Sequence, residues 1–256
     1  MKLTFLGTGT STGVPQINCN CTACRSTDSR DKRLRASVLL TFNDMRQLLI
    51  DCGPDFRHQA LDNPINHLRG VLLTHTHYDH VGGLDDLRPF CASFKNGLPL
   101  YARADVIDDQ RNRMPYSFVS HIYPGVPVFD THEIQPYVPF AVDGDIEVMP
   151  IEVFHHKLPI LGFIIGNIAY ITDCKTMPDR SLKMLRGIDT LVLNALRIEE
   201  HLSHLNLRQA IDIISTVSPR RAYLTHISHD MGLHAEVSMK LPGNVELATD
   251  NLVIDI

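Results

Sequence analysis

The run His75-Thr76-His77-Tyr78-Asp79-His80 limits what this chain can become more than any other stretch. Four metal-capable side chains fall within six residues, directly after the apolar Val71-Leu72-Leu73 and just ahead of Gly82-Gly83. A short apolar run bounded by polar residues reads as a buried strand, and the paired glycines mark a turn beyond it. The spacing therefore suits a strand that ends at Thr74 in a loop opening a helix. His75 and His77 share a face at period two, while Asp79 and His80 can turn toward a second point. Neutral imidazoles with a carboxylate suit borderline divalent ions such as zinc, manganese or iron. The remaining donors have to come from elsewhere in the chain.

A second cluster lies near the start. Cys19, Cys21 and Cys24 form Cys-x-Cys-x-x-Cys, three corners of a tetrahedral zinc site that needs a fourth ligand from a distant position. Free surface thiols are the other use for such a stretch. The glycine-rich residues 7–13 follow an opening strand at Leu3-Thr4-Phe5-Leu6, and a loop of that kind can cradle phosphate. No helix pattern follows, and Val14-Pro15 opposes one, so dinucleotide-fold and P-loop readings fail. A plain turn or a lining of the active site remains. Cys52, Cys91 and Cys174 read as small buried hydrophobes.

Residues 36–42 and 47–51 read as a hairpin across Asn43-Asp44, and residues 54–62 as a short helix. Residues 84–94 read as a helix broken at Pro89, followed by a strand at 99–101 and a helix at 105–112. Residues 114–144 carry several prolines and little periodicity, which points to loops and edge strands able to cap a site. In the second half, strands are expected over 145–154, 163–165 and 168–172, the last two turning on Gly166-Asn167. Helix 179–186, strand 190–194, helix 205–216, strand 221–225, helix 233–241 and strands near Glu246 and Val253 follow. Both halves run in comparable order, and two packed sheets with helices outside would bury both.

Bulk properties narrow the classes. A chain of 256 residues can bury a large core, and one domain over 1–256, in halves of about 1–135 and 136–256, is expected. The net charge of −5 carries no basic footprint, so a nucleic-acid partner is not expected. The 14 histidines suggest metal or acid–base chemistry. No apolar run approaches the roughly 18 residues of a membrane span, and Met1-Lys2 leads straight into a strand without a secretory pattern. With six cysteines in that setting, thiols or metal in a reducing cytoplasm are expected rather than disulfides.

The order His-x-His-x-Asp-His resembles the signature of the metallo-β-lactamase superfamily. That resemblance implies an α+β, αββα four-layer sandwich, two mixed sheets flanked by helices, and a dinuclear metal site. It implies that His75, His77 and His155 hold one divalent ion and Asp79, His80 and His226 the other, with Asp173 between them, the ions being Mn2+ or Zn2+. His155, Asp173 and His226 each stand just past an apolar run. His156 competes with its neighbour, since strand alternation lets only one face inward. The Cys-x-Cys-x-x-Cys stretch paired with Thr225-His226-Ile227-Ser228-His229 resembles the PhnP family of phosphodiesterases, with His229 the fourth ligand of a structural Zn2+.

The resemblance further implies hydrolysis of a small, in some members cyclic, phosphodiester by a hydroxide shared between the ions. Asp79 belongs to that catalytic set, and His204 stands where the resembling enzymes keep a histidine general acid. His201 competes for the acid role. The rivals are a tRNase Z-like nuclease, whose relatives carry a long arm between the third histidine and the bridging aspartate, and a lactone or thioester hydrolase. A redox di-iron protein would replace His77 by a carboxylate, and a non-enzymatic relative would lack a ligand. Relatives are often homodimers, an assembly the resemblance allows.

Overall fold

The structure, a computed structural model, describes residues 1–118 and 125–256. Strands β1 (Lys2–Gly7), β2 (Ser37–Thr41), β3 (Gln47–Ile50), β4 (Leu68–Leu72), β5 (Leu98–Ala102) and β6 (Phe129–Glu133) lie in sequence order in one sheet. The second sheet holds β7 (Phe140–Val142), β8 (Ile146–His155), β9 (Leu158–Ile165), β10 (Ile168–Ile171), β11 (Thr190–Asn194), β12 (Arg221–Thr225) and β13 (Val245–Leu247), again in order. The last strand, β14 (Val253–Asp255), returns to pair with β1, so each sheet has seven strands. Both sheets are mixed: β3 to β6 and β10 to β13 run parallel, and the remaining pairs are antiparallel.

Side-chain alternation sorts these strands into three cores. In β3, Leu48 and Ile50 face the layer between the sheets, whereas Leu49 faces outward beneath the helices. In β11, Val192 joins the middle layer and Leu191 and Leu193 the outer one. Neighbouring side chains on a strand point to opposite faces, so a strand buried on both sides reads as an unbroken apolar run. Helices α1 (Thr22–Arg25), α2 (Phe56–Asp62), α3 (Tyr78–Val81), α4 (Arg88–Cys91) and α5 (Ala104–Arg113) belong to the first half. Phe56, Cys91, Val106 and Ile107 cover the outer face of the first sheet. In the second half, α6 (Asp179–Met184), α7 (Leu207–Val217) and α8 (His234–Ser238) follow, and Ala210, Ile214, Val217 and Val237 cover the second sheet. The result is the expected αββα sandwich. Among the described residues no helix is long and apolar enough to cross a membrane.

Two details depart from the sequence expectations. Residues 158–162 continue the strand over 163–165, although Pro159 and Gly162 disfavour one. Gly162 is needed there, because a Cβ would lie 3.0 Å from Ile171 Cγ1. The helix expected at 84–94 is a 3-10 turn (Leu84–Leu87) followed by α4. Pro89 sits in the first turn of α4, where its missing N–H costs nothing.

Parallel strands bring their C-terminal ends to one edge, and in open α/β sheets ligands bind outside such ends. Here Asp51 follows β3, residues 74–80 follow β4, Asp173 follows β10 and His226 follows β12. The glycine-rich loop straps the halves together there: Gly9 bridges both Arg35 and Ile227, and the Ile227 N–H donates to the Thr8 carbonyl.

Candidate metal centres

Asp51, Asp173 and His226 each leave their strand with a positive φ, of 62°, 54° and 55°. Non-glycine residues in that region cost about 1–3 kcal/mol each and cluster at functional sites. The turn swings each side chain over the strand end and into one buried cluster. His75, Asp79, His80, His155, Asp173, His204 and His226 are all at least nine-tenths buried, and His77 is exposed. The structure therefore brings all seven expected dinuclear ligands together with His204. His155 turns inward and His156 faces solvent.

Asp173 is the centre of the arrangement. Its Oδ1 lies 3.2 Å from both His80 Nε2 and His226 Nε2. Its Oδ2 faces the other way, 3.8 Å from His75 Nε2 and 3.1 Å from His204 Nε2. Asp79 Oδ2 sits 3.1 Å from His80 Nε2 and 3.4 Å from His226 Nε2. On the far side the His77 ring is 4.6 Å from that of His75 and 4.9 Å from that of His155. One carboxylate thus addresses two groups of imidazoles.

These contacts fit cations better than hydrogen bonds. His80 Nε2 is fully buried near two carboxylate oxygens, yet it makes a hydrogen bond to neither, and His75 Nε2 is a second orphan of the same kind. Buried polar nitrogens without partners are rare. Ligands bonded at about 2.0–2.2 Å around a tetrahedral ion stand roughly 3.4 Å apart, close to the separations seen. The donor set of imidazole and carboxylate suits divalent zinc or manganese.

Electrostatics push the same way. Burial works against charge on Asp173, but His226 and His80 outweigh it and hold the carboxyl well below its usual range. Asp79 is likewise held low by His80 and His226 despite burial. Burial keeps His75 from protonating, as metal ligation requires. His80 goes the other way, since Asp173, Asp79 and Asp51 outweigh burial and raise it. Anionic oxygens crowded in a buried site call for positive charge.

A supporting layer aims the rings. Asp51 is completely buried; it accepts from His80 Nδ1 at 2.7 Å, from the Thr74 N–H at 2.9 Å and from the Thr74 hydroxyl at 2.9 Å. That hydroxyl, its proton given to Asp51, accepts from His75 Nδ1 at 2.9 Å. His155 Nδ1 donates to the carbonyls of Asp173 and Ser203. In each case the tautomer is fixed and Nε2 is left free to bind, as partners of metal-binding histidines commonly arrange. Sequence reasoning missed Asp51. Its signal was present, a carboxylate ending an apolar strand as Asp173 does, but it was read only as the end of a hairpin.

His204 stands beside the cluster, its ring stacked 4.9 Å from His226. Burial pushes it down to about 4, although Asp173 pulls it up. His201 lies behind it, partly exposed, with Nδ1 3.1 Å from His204 Nδ1. The loop is held by the capping box of α7, in which Asn206 and Gln209 each bind the other's backbone N–H. Asp85 and Arg88 pair with each other at 2.8 Å, and Tyr116 donates to Asp85. Residues 119–124, part of the stretch expected to cap the site, lie outside the described residues.

The cysteine cluster is a separate centre. Cys21 caps the N-terminus of α1, and Cys24 lies one turn on. His229 opens a 3-10 turn after β12, with Nδ1 3.6 Å from Cys19 Sγ and 3.4 Å from Cys21 Sγ. Zinc bonds of about 2.3 Å to sulfur and 2.0–2.1 Å to nitrogen at tetrahedral angles set such atoms roughly 3.5 Å apart. All four ligand atoms lie within 4.8 Å of one another. The Cys24 N–H and then His229 pull Cys21 down to about 6, whereas burial pushes Cys24 up to about 11. Cys52, Cys91 and Cys174 are buried in the outer cores, as expected.

Residues 46–227 match the family described as "Beta-lactamase superfamily domain". An octanoyltransferase of Porphyromonas gingivalis is 44% identical over 253 residues, 98% of this chain, but the chain spans only 51% of that protein's length. A solved diphosphatase from the PhnP family aligns with a TM-score of 0.90 and 37% identity, covering 99% of this chain and 96% of that one. Zinc-bound PqqB from Methylobacterium extorquens shares the fold, with a TM-score of 0.81 and 20% identity over the full length of both chains. With its two mixed seven-stranded sheets, its family match across most of its length and its near-complete alignment with a PhnP-family diphosphatase, the chain belongs to the beta-lactamase superfamily and is a metal-dependent hydrolase.

Proposed function

We propose that this hydrolase is a dinuclear phosphodiesterase acting on a small phosphodiester, with His204 as general acid. The observation that carries the reading is Asp173, whose two oxygens face two separate groups of imidazoles. In this reading His75, His77 and His155 hold one divalent ion, manganese or zinc, and Asp79, His80 and His226 hold a second. Ions so held supply Lewis acidity toward phosphoryl oxygens and a coordinated water of lowered pKa. Cys19, Cys21, Cys24 and His229 hold a structural zinc that ties residues 19–24 to residue 229.

The chain's own residues then divide the remaining work. Asp51 and Thr74 fix the rings of His80 and His75. His204 Nε2 points at the Asp173 carboxylate, on the side where a leaving alkoxide needs its proton. A phosphodiester anion beside it raises its proton affinity, and His201 and Ser203 hold its Nδ1.

Support for a small substrate comes from the stretch between His155 and Asp173. Those seventeen residues are taken up by β9 and the tight turn into β10, leaving no arm for tRNA. The PhnP-family neighbour is titled a diphosphatase, a phosphoryl substrate consistent with this reading. The test is turnover of cyclic and linear phosphodiesters, a lactone and a thioester by protein of known metal content. Diester hydrolysis at least tenfold faster than the others is expected; ester hydrolysis without diester hydrolysis would overturn the proposal.

A further inference from the structure

Tyr78 is an anomaly in the signature loop. It lies between two proposed metal ligands, His77 and Asp79, yet it is 61% exposed, and no hydrogen bond holds its hydroxyl among the described residues. Large aromatic side chains normally bury most of their surface. Its ring is not loose, because it lies against the bare Cα of Gly82. A Cβ there would come within 2.7 Å of Tyr78 Cζ and 2.8 Å of Cε1. One side of the ring is therefore seated on backbone and the rest faces solvent.

The direction of that exposure is informative. Four imidazoles form a continuous row, His77 to His155 at 4.9 Å, His155 to His204 at 4.5 Å and His204 to His201 at 5.1 Å. The middle two are buried, while His77 at one end is exposed and His201 at the other partly so. The row thus marks the opening of the site. Tyr78 adjoins its exposed end, and Leu202, 71% exposed, adjoins the other. Both loops are fixed, the first by α3 and the second by the capping box of α7. Two bare apolar side chains flank a charged, buried centre.

The geometry points to Tyr78 as a stacking platform for a planar ring on the substrate, with Leu202 as the opposing apolar edge. The class implied is a phosphodiester or diphosphate in which one esterified group carries a nucleobase or a comparable flat ring. The phosphoryl group lies at the buried carboxylates and the ring on Tyr78. Stacking suits this task because every base presents a π-face, so a seated tyrosine adds affinity without reading sequence. The idea rests on the phosphodiesterase reading for the reaction, but binding can test it separately.

Calorimetric titration of the metal-loaded protein with adenosine 5′-phosphate and ribose 5-phosphate provides that test, with turnover of diesters followed in parallel. The wild type is expected to prefer the nucleotide. Tyr78→Ala should weaken nucleotide binding about tenfold, the order of one base–aromatic stack, and so erase most of the preference. Tyr78→Phe should restore it, and Leu202→Ala should weaken it less. A preference that survives Tyr78→Ala, or a wild type with no preference for the ring, overturns the platform. A ring preference without diester turnover would instead overturn the reaction while upholding the platform.

Discussion

Replacing Asp51 should weaken both halves of the metal centre at once. Its carboxylate accepts three buried hydrogen bonds, two of them from Thr74 and one from His80. Through Thr74 it also orients His75, so one ligand of each proposed ion depends on it. In Asp51→Ala three donors lose their acceptor. At about 1–3 kcal/mol for each buried group left unsatisfied, the fold should lose several kcal/mol, enough to confuse a metal assay. Asp51→Asn is the cleaner perturbation. Its amide oxygen can still accept from Thr74, but the charge facing His80 is gone and His80 can flip its tautomer. Loss of such a supporting carboxylate costs about 10–100-fold in metal affinity, or roughly 1.4–2.7 kcal/mol. The assay is residual manganese or zinc per chain across a chelator series, with a thermal melt to verify folding. A folded Asp51→Asn protein that holds metal as tightly as wild type would refute the orienting role.

His204→Ala should lose far more rate on a diester with a poor leaving group than on a nitrophenyl diester, about 10²–10⁴-fold against little. Equal losses on both would remove His204 from the acid role and leave His201 to be tried. The depressed pKa of Cys21 means its thiolate is present above about pH 6 and is lost as pH falls through that value. In zinc-stripped protein, alkylation of Cys21 mapped by mass should therefore have a midpoint near pH 6, with zinc retention failing below it. A midpoint near the ordinary thiol value of about 8.5 would contradict this.

How far these features were legible in the chain depends on whether local pattern or tertiary contact set them. Strands β11 and β12 have the expected bounds, because a two-faced apolar run with polar ends leaves little room for another reading. The strand over residues 158–162 was hidden by Pro159 and Gly162, whose places are set by neighbours across the sheet rather than by propensity. Helix α8 ends at Ser238, short of the expected Leu241. The histidines and carboxylates were conspicuous because each stands at a strand end. Asp51 had the same position and was still passed over, since only the parallel pairing of β3 with β4 puts it beneath His80. Tyr78 was in view throughout, but its exposure belongs to the fold alone.

The most direct measurement is anomalous diffraction at the manganese and zinc absorption edges from crystals of protein purified without chelator. Two peaks are expected, one on either side of the Asp173 carboxylate, within bonding distance of the histidines named above. A third is expected among Cys19, Cys21, Cys24 and His229. An Asp173 with no ion bonded to it, or with a single ion reaching only one of its oxygens, would contradict the dinuclear centre on which the proposed chemistry depends.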